Sequence, residues 1–112
     1  LSHNTFDGTL VCRMAQQARS MVTQSVDAFV RRDVYLARSV AGQDDLVDED
    51  FTAVKQALIA AIARESGQGE VALDLLMIAK YFERIGDHAV NLSEWVEFSV
   101  TGVHKHDGVE YE

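Results

Sequence analysis

Apolar residues recur along this chain at alternating spacings of three and four. The pattern is clearest between residues 70 and 101, where Val71, Leu75, Ile78, Phe82, Ile85, Ala89, Leu92 and Val96 alternate without a break. That is an a/d heptad seam, expected of a helix packed at a shallow angle in a bundle. A second seam holds Val47, Phe51, Val54, Leu58 and Ala61 or Ile62. A third is weaker, with Val22, Val26, Phe29, Leu36 and Val40, and it skips a turn at Asp33, an acid where an apolar residue is expected. Proline is absent, so glycine supplies the punctuation, at positions 8, 42, 67, 69, 102 and 108, with Gly86 inside the strongest seam. This pattern predicts helices over about 9–41, 44–66 and 70–101. A tail at 102–112 has lost the heptad and is expected to be frayed or disordered. Connections this short force neighbouring helices antiparallel. The fold class is therefore all-α, an antiparallel up-down-up three-helix bundle. Its helices of roughly 30 residues should be about 45 Å long.

Composition fits that picture and removes several function classes. The chain reads as one domain over residues 1–112, 47% hydrophobic and 25% charged, which supports a packed core and excludes intrinsic disorder. Ten Lys and Arg against eighteen Asp and Glu give a net charge of −8, so a basic nucleic-acid face is not expected. The longest apolar run, Ala57 to Ala63, is far too short to span a membrane. A lone Cys12 permits no internal disulfide, is compatible with a reducing compartment, and reads as a buried small hydrophobe. The chain opens on Leu1 rather than Met and without a signal-like segment, so it is expected to be a processed or excised piece. Charge is uneven: residues 1–43 carry five basic and three acidic groups, residues 44–112 five basic and fifteen acidic. The densest cluster is Asp44, Asp45, Asp48, Glu49 and Asp50.

Two acidic pairs within that excess stand four residues apart, Asp44 with Asp48 and Glu83 with Asp87. That spacing stacks carboxylates on one helix face, where like charges cost about 0.2–0.5 kcal/mol per pair. Asp44 and Asp48 have an ordinary explanation, because acids at a helix N-terminus oppose the macrodipole. Glu83 and Asp87 are several turns into their helix and lack it. Asn91 continues their face, and Asp45 adjoins the first pair. A solvated acidic face with Arg84 or Lys80 beside it is the plainer account of the spacing; the other is a metal ion. Hard oxygen ligands with no thiolate nearby favour Mg²⁺, Mn²⁺, Ca²⁺ or iron over zinc.

Other chemistry-bearing residues form weaker patterns. Gly86 costs about 1 kcal/mol relative to alanine inside a helix, and either a close helix crossing or space beside the carboxylates would account for it. His88 points about 100° away from Asp87 on the helical wheel. His104 and His106 belong to the tail. Tyr81, Phe82, Trp95 and Phe98 read as core or interface. Nothing orders Ser, His and Asp into a triad. There is no glycine-rich phosphate loop and no CxxC, and the Glu-x-x-His spacing of di-iron bundles is missing.

The run from Asp74 through Tyr81-Phe82-Glu83-Arg84-Ile85-Gly86-Asp87-His88 to Trp95 closely resembles the third helix of the PhoU family of phosphate-signalling regulators. The match extends to Asp44-Asp45-Leu46-Val47-Asp48 and Ala28-Phe29-Val30-Arg31-Arg32-Asp33, covering roughly residues 20–102. The resemblance implies repeated three-helix bundles with acidic motifs of the form Glu or Asp, three residues, Asp. It carries metal ligation onto Asp44, Asp48, Glu83 and Asp87, with Asp45 and Asn91 as possible additions and Fe, Mn or Mg as the ion. It further implies a regulator of phosphate uptake and of the transcriptional response to phosphate starvation. Such a regulator acts by binding and not as an enzyme, between a phosphate ABC transporter and a sensor histidine kinase. It would be cytoplasmic, peripheral at the inner membrane face, and would meet the membrane only through partners. Family members usually carry two bundles, and the close at Glu94 to Gly102 resembles the second, so the chain is expected to be a C-terminal half, with apolar surface free to form a homodimer. Two other readings stand beside this one: a cytoplasmic regulatory domain of another transporter, and a structural helical dimerisation module.

Overall fold

The computed structural model describes residues 8–64, 66–104 and 109–110. Its helices are α1 (Thr9–Arg31), α2 (Val34–Gly42), α3 (Asp44–Arg64) and α4 (Gly69–Thr101), with a 3₁₀ turn at Ser66–Gln68 before α4. The molecule is a rod of 57 × 24 × 16 Å. The all-α bundle is as expected, but the first reversal of the chain is not at Gly42. It lies at Arg32 and Asp33, so the predicted helix over 9–41 is two helices running in opposite directions.

The turn is built from local chemistry. Arg32 adopts left-handed φ and ψ of 53° and 41°, the conformation that commonly ends a helix and that glycine usually supplies. The Asp33 N–H then donates to the Ala28 carbonyl at 3.0 Å, closing the end of α1. Asp33 also starts the next helix: its extended backbone and its carboxylate, which accepts from the Leu36 N–H at 3.0 Å, make it the N-cap of α2. The acid that interrupts the apolar seam is therefore the turn. Gly42, by contrast, is an exposed helical residue.

From α2 the chain continues into α3 in the same sense. Gln43 stays in the right-handed region, its N–H donating to the Val40 carbonyl and its own carbonyl accepting from the Leu46 N–H. Its side-chain amide donates to Gln24 at 2.9 Å and accepts from Gln17 at 2.7 Å, which fixes the step against α1. Partners of α1 fall in number as those of α2 and α3 rise: Ala28 clusters with Ala37, Gln24 bonds Gln43, and Arg13 bonds Asp50. Hence α2 and α3 together form the descending limb between ascending α1 and α4. Later boundaries shift as well, with α3 ending at Arg64 where the expectation was 66, and α4 starting at Gly69.

The buried seam lies one residue from its expected position on α1 and in part on α4, where Leu75, Phe82 and Leu92 of the expected seam still pack on the core. In α4 the buried positions include Ala72, Ala79, Gly86 and Ser93, every seventh residue and all small. Ala89 and Val96 of the predicted seam are buried, but Val71, Ile78 and Ile85 are exposed. In α1, Met21, Ser25 and Ala28 are buried, while Val22, Val26 and Phe29 stand outside, and Cys12, expected to be buried, is exposed. A helix wedged against two neighbours gains more from close approach by small side chains than from bulk on its centre line. The buried Ser25 and Ser93 hydroxyls donate to carbonyls of their own helix, Val22 and Val90, so neither is left unpaired. In α3 the expected seam holds, with Val47, Val54, Leu58 and Ala61 buried.

The tail departs in part from the expectation of disorder. Val103–His104 pairs antiparallel with Val109–Glu110, after Gly102 ends α4 at a φ of 78°. The segments 105–108 and 111–112, and the side chains of the tail histidines, lie outside the described residues.

Candidate functional site

The antiparallel packing of α3 on α4 decides which carboxylates meet. Asp44 and Asp48 occupy the first two turns of α3, and Glu83 and Asp87 the middle of α4. One direction of travel opposes the other, so the pairs form across the helices: Asp44 faces Asp87 and Asp48 faces Glu83, each close enough to share a hydrogen bond once one carboxyl carries a proton. A bond between two carboxyl groups requires a proton on one of them. Partial burial and the surrounding negative charge supply the driving force. Asp44 is pushed up to about 6, first by burial and then by the charges of Asp48, Asp87 and Asp45. Asp48 is raised by burial and then by Glu83, with Asp87 and Asp45 adding to it. Both shifts follow from desolvation and like charge acting together.

The four residues of the acidic pairs are thus brought to one place, along the outer groove between α3 and α4. Asp45 is exposed and contributes its charge only. Asn91 is exposed one turn further on and joins neither pair. Beside the carboxylates lies a built-in cation, Lys80, whose Nζ is 2.5 Å from a Glu83 carboxylate oxygen and 5.1 Å from the centroid of the Phe51 ring. Among the described residues no ion pair reaches Asp44, Asp48 or Asp87. One Asp44 oxygen, Oδ1, is buried without a hydrogen-bond donor.

These observations fit a hard cation in donor chemistry and in charge. The arrangement is nevertheless two pairs rather than a closed shell: among the described residues, no group of three or more His, Cys, Asp or Glu is gathered as a ligand set. Rotation of the exposed Asp48 and Asp87 side chains is what gathering them would require. His88 is exposed and outside this face. Gly86 does not hold space open for the carboxylates. A methyl group there would meet Val47 at 3.6 Å and Met21 at 3.8 Å, on the core side.

Two ion pairs were not legible as pairs. Arg13 on α1 donates through Nε to both oxygens of Asp50 at 3.1 Å, and Arg38 on α2 donates to Glu97 on α4 at 2.7 Å. Asp50 and Glu97 are buried, so these contacts compensate charges taken out of water. The signal for Asp50 was its place on the α3 seam, between Val47 and Val54. It belongs to the core and not to the acidic face.

Comparison with known proteins decides the family. A family profile described as "PhoU domain" matches residues 11–96. The chain belongs to the PhoU family. Curated relatives named "Phosphate-specific transport system accessory protein PhoU homolog" agree. The one from Zymomonas mobilis is 37% identical over 89 residues, 80% of this chain and 38% of that protein. The one from Pseudomonas aeruginosa is 34% identical, over 82% of this chain and 38% of its own length. A homolog from Thermotoga maritima is 37% identical, over 73% of this chain and 35% of its own. The chain therefore spans about two fifths of the length of these PhoU relatives. No solved structure matches it. Among the described residues, no helix is long and apolar enough to cross a membrane.

Proposed function

We propose that this PhoU bundle is a regulatory interaction module of phosphate uptake, and that Asp44, Asp48, Glu83 and Asp87 bind a metal ion as part of that role. Membership of a family whose relatives are named as phosphate-transport accessories supports the first half. The second rests chiefly on the convergence of the four carboxylates across α3 and α4, with a buried Asp44 oxygen lacking a donor. Iron, Mn²⁺ or Mg²⁺ suits an all-oxygen donor set. When bound, such an ion supplies positive charge and rigidity where α3 meets α4. The chain's own residues do the rest: Lys80 neutralises one end of the row at Glu83, and the helices hold the pairs one turn apart.

The module works without catalysis, as a cytoplasmic regulator at the inner membrane face. It makes contact with components of a phosphate ABC transporter and with a sensor histidine kinase, and represses starvation genes when phosphate is plentiful. Chromosomal Glu83→Gln/Asp87→Asn substitution in the full protein tests this reading. It should derepress a phosphate-starvation reporter in phosphate-rich medium and reduce co-purification with the transporter. A reporter that stays repressed, with transporter association unchanged, contradicts it.

A second reading has its own support. Val22, Val26 and Phe29 of α1 and Ile78 and Ile85 of α4 are exposed apolar residues, and surface of this kind suits a homodimer.

A further inference from the structure

Below the carboxylates, the same α3–α4 groove opens into a slot of about 300 Å³. Leu58 and Ala72 close its floor, Ile62 and Leu76 form its walls, and Ile59 and Leu73 stand at the rim, 61% and 59% exposed. Nothing in the carboxylate chemistry uses it. Lys55 lies on its lining, and no ion pair reaches Lys55 among the described residues.

Along the groove the surface therefore reads apolar, then positive at Lys55 on α3, with Lys80 of α4 beyond it over Phe51 and already paired to Glu83, then negative at Asp48 and Asp44. At 1.5 Å per residue, Lys55 and Asp48 are about 10 Å apart and Lys55 and Asp44 about 16 Å. The order of these charges argues for one kind of occupant. An anionic lipid surface would be repelled by the carboxylates two to three turns beyond the lysine. A free fatty acid would use the slot and Lys55 but leave the acidic part unmatched. A helix matches all three parts, because it presents discrete side chains at fixed rises and lays apolar anchors into grooves between helices. The geometry points to a docking site for one amphipathic helix of a partner protein. That helix places aliphatic side chains at i and i+3 or i+4 in the slot, an acidic side chain against Lys55, and a basic one two to three turns beyond. This rests on the reading that the bundle acts by binding other proteins, and it assigns the surface.

Designed peptides test it directly. The matched peptide is a helix of about 16 residues with two leucines, one glutamate and one arginine at these spacings. Controls carry Leu→Asn anchors or exchanged charges. Binding is read by fluorescence anisotropy of the labelled peptide and by amide shifts of the 112-residue chain. The matched peptide should bind at least tenfold more tightly than either control and shift resonances of residues 55–62 and 69–76. Leu73→Gln should weaken it, and both Leu73 and Ile59 are exposed enough for substitution without loss of fold. Lys55→Glu should weaken the matched peptide and tighten one whose glutamate is replaced by lysine. Equal binding of all peptides overturns the proposal, as does decanoate or an anionic vesicle shifting these resonances while the matched peptide does not. In cells, Lys55→Glu/Leu73→Gln that leaves repression and transporter association intact removes the docking slot alone. The reporter result for the carboxylate variant is independent of it.

Discussion

Asp44 is held in a state that the unfolded chain does not share. Its folded carboxyl keeps a proton up to about pH 6, while the unfolded one releases it near 3.8. The metal-free fold therefore gains stability as pH falls from 7 toward 4 and loses it as pH rises through that window. Asp48 acts in the same direction. Asp44→Asn should flatten this dependence and stabilise the metal-free protein at pH 7 by about 1 kcal/mol; solvent screening keeps the effect below the full linkage value. Urea titrations at pH 5 and pH 7 measure it, and a variant less stable than the parent at pH 7 would be contrary. Gly86 offers a second residue-scale test. An added methyl would meet only side-chain atoms at ordinary contact distance, so Gly86→Ala should stabilise by up to about 1 kcal/mol through helix propensity, read as a higher Tm. A fall would show that the crossing is tighter than these contacts indicate. At this scale the acidic spacing was legible, because i and i+4 on a helix share a face whatever surrounds them. That Asp44 meets Asp87, and not some lysine, was not legible, since it depends on which helices adjoin and in which direction.

At the scale of elements, the reversal at Arg32 and Asp33 carries the topology. Asp33→Ala removes the cap of α2 and should cost about 1 kcal/mol. Arg32→Gly relieves a left-handed non-glycine residue and should stabilise by up to about 1 kcal/mol, the entropy of an added glycine offsetting part of the gain. Thermal melts of the two single variants should thus move in opposite directions; movement in the same direction would place the turn elsewhere. The existence and antiparallel order of three limbs was legible from heptads and short connections. Their boundary was not, because Gly42 drew the break away from Asp33, whose polar intrusion into the seam was the real signal. The seam itself was displaced by one residue on α1 and, at Val71, Ile78 and Ile85, on α4, whose Leu75, Phe82, Ala89 and Val96 pack inward as expected. Apolar bulk marks the edge of those interfaces, while Ala72, Ala79, Gly86 and Ser93 mark the centre, and a pattern search weighted by hydrophobicity favours the former.

For the whole molecule, four helices in three limbs make a narrow rod with different chemistry on two sides. The α3–α4 side carries the carboxylates and the slot. The α1–α4 side carries exposed Val22, Val26, Phe29, Ile78 and Ile85. Phe29→Ser/Ile85→Ser should leave the fold intact while lowering any self-association seen by sedimentation; an unchanged oligomeric state would clear this face of that role. The central claim concerns the other side, where four carboxylates are proposed to hold a metal ion. The most direct measurement is metal analysis with thermal melting, comparing the parent chain with Glu83→Gln/Asp87→Asn. Bound metal should raise the parent Tm through linkage, worth about 2.7 kcal/mol at a hundredfold excess over Kd. The response should be larger at pH 7 than at pH 5, where Asp44 is protonated, and should vanish in the variant. A parent that binds no Mn²⁺ or iron and melts at the same temperature with or without them, beside a variant that is simply more stable, would contradict the account.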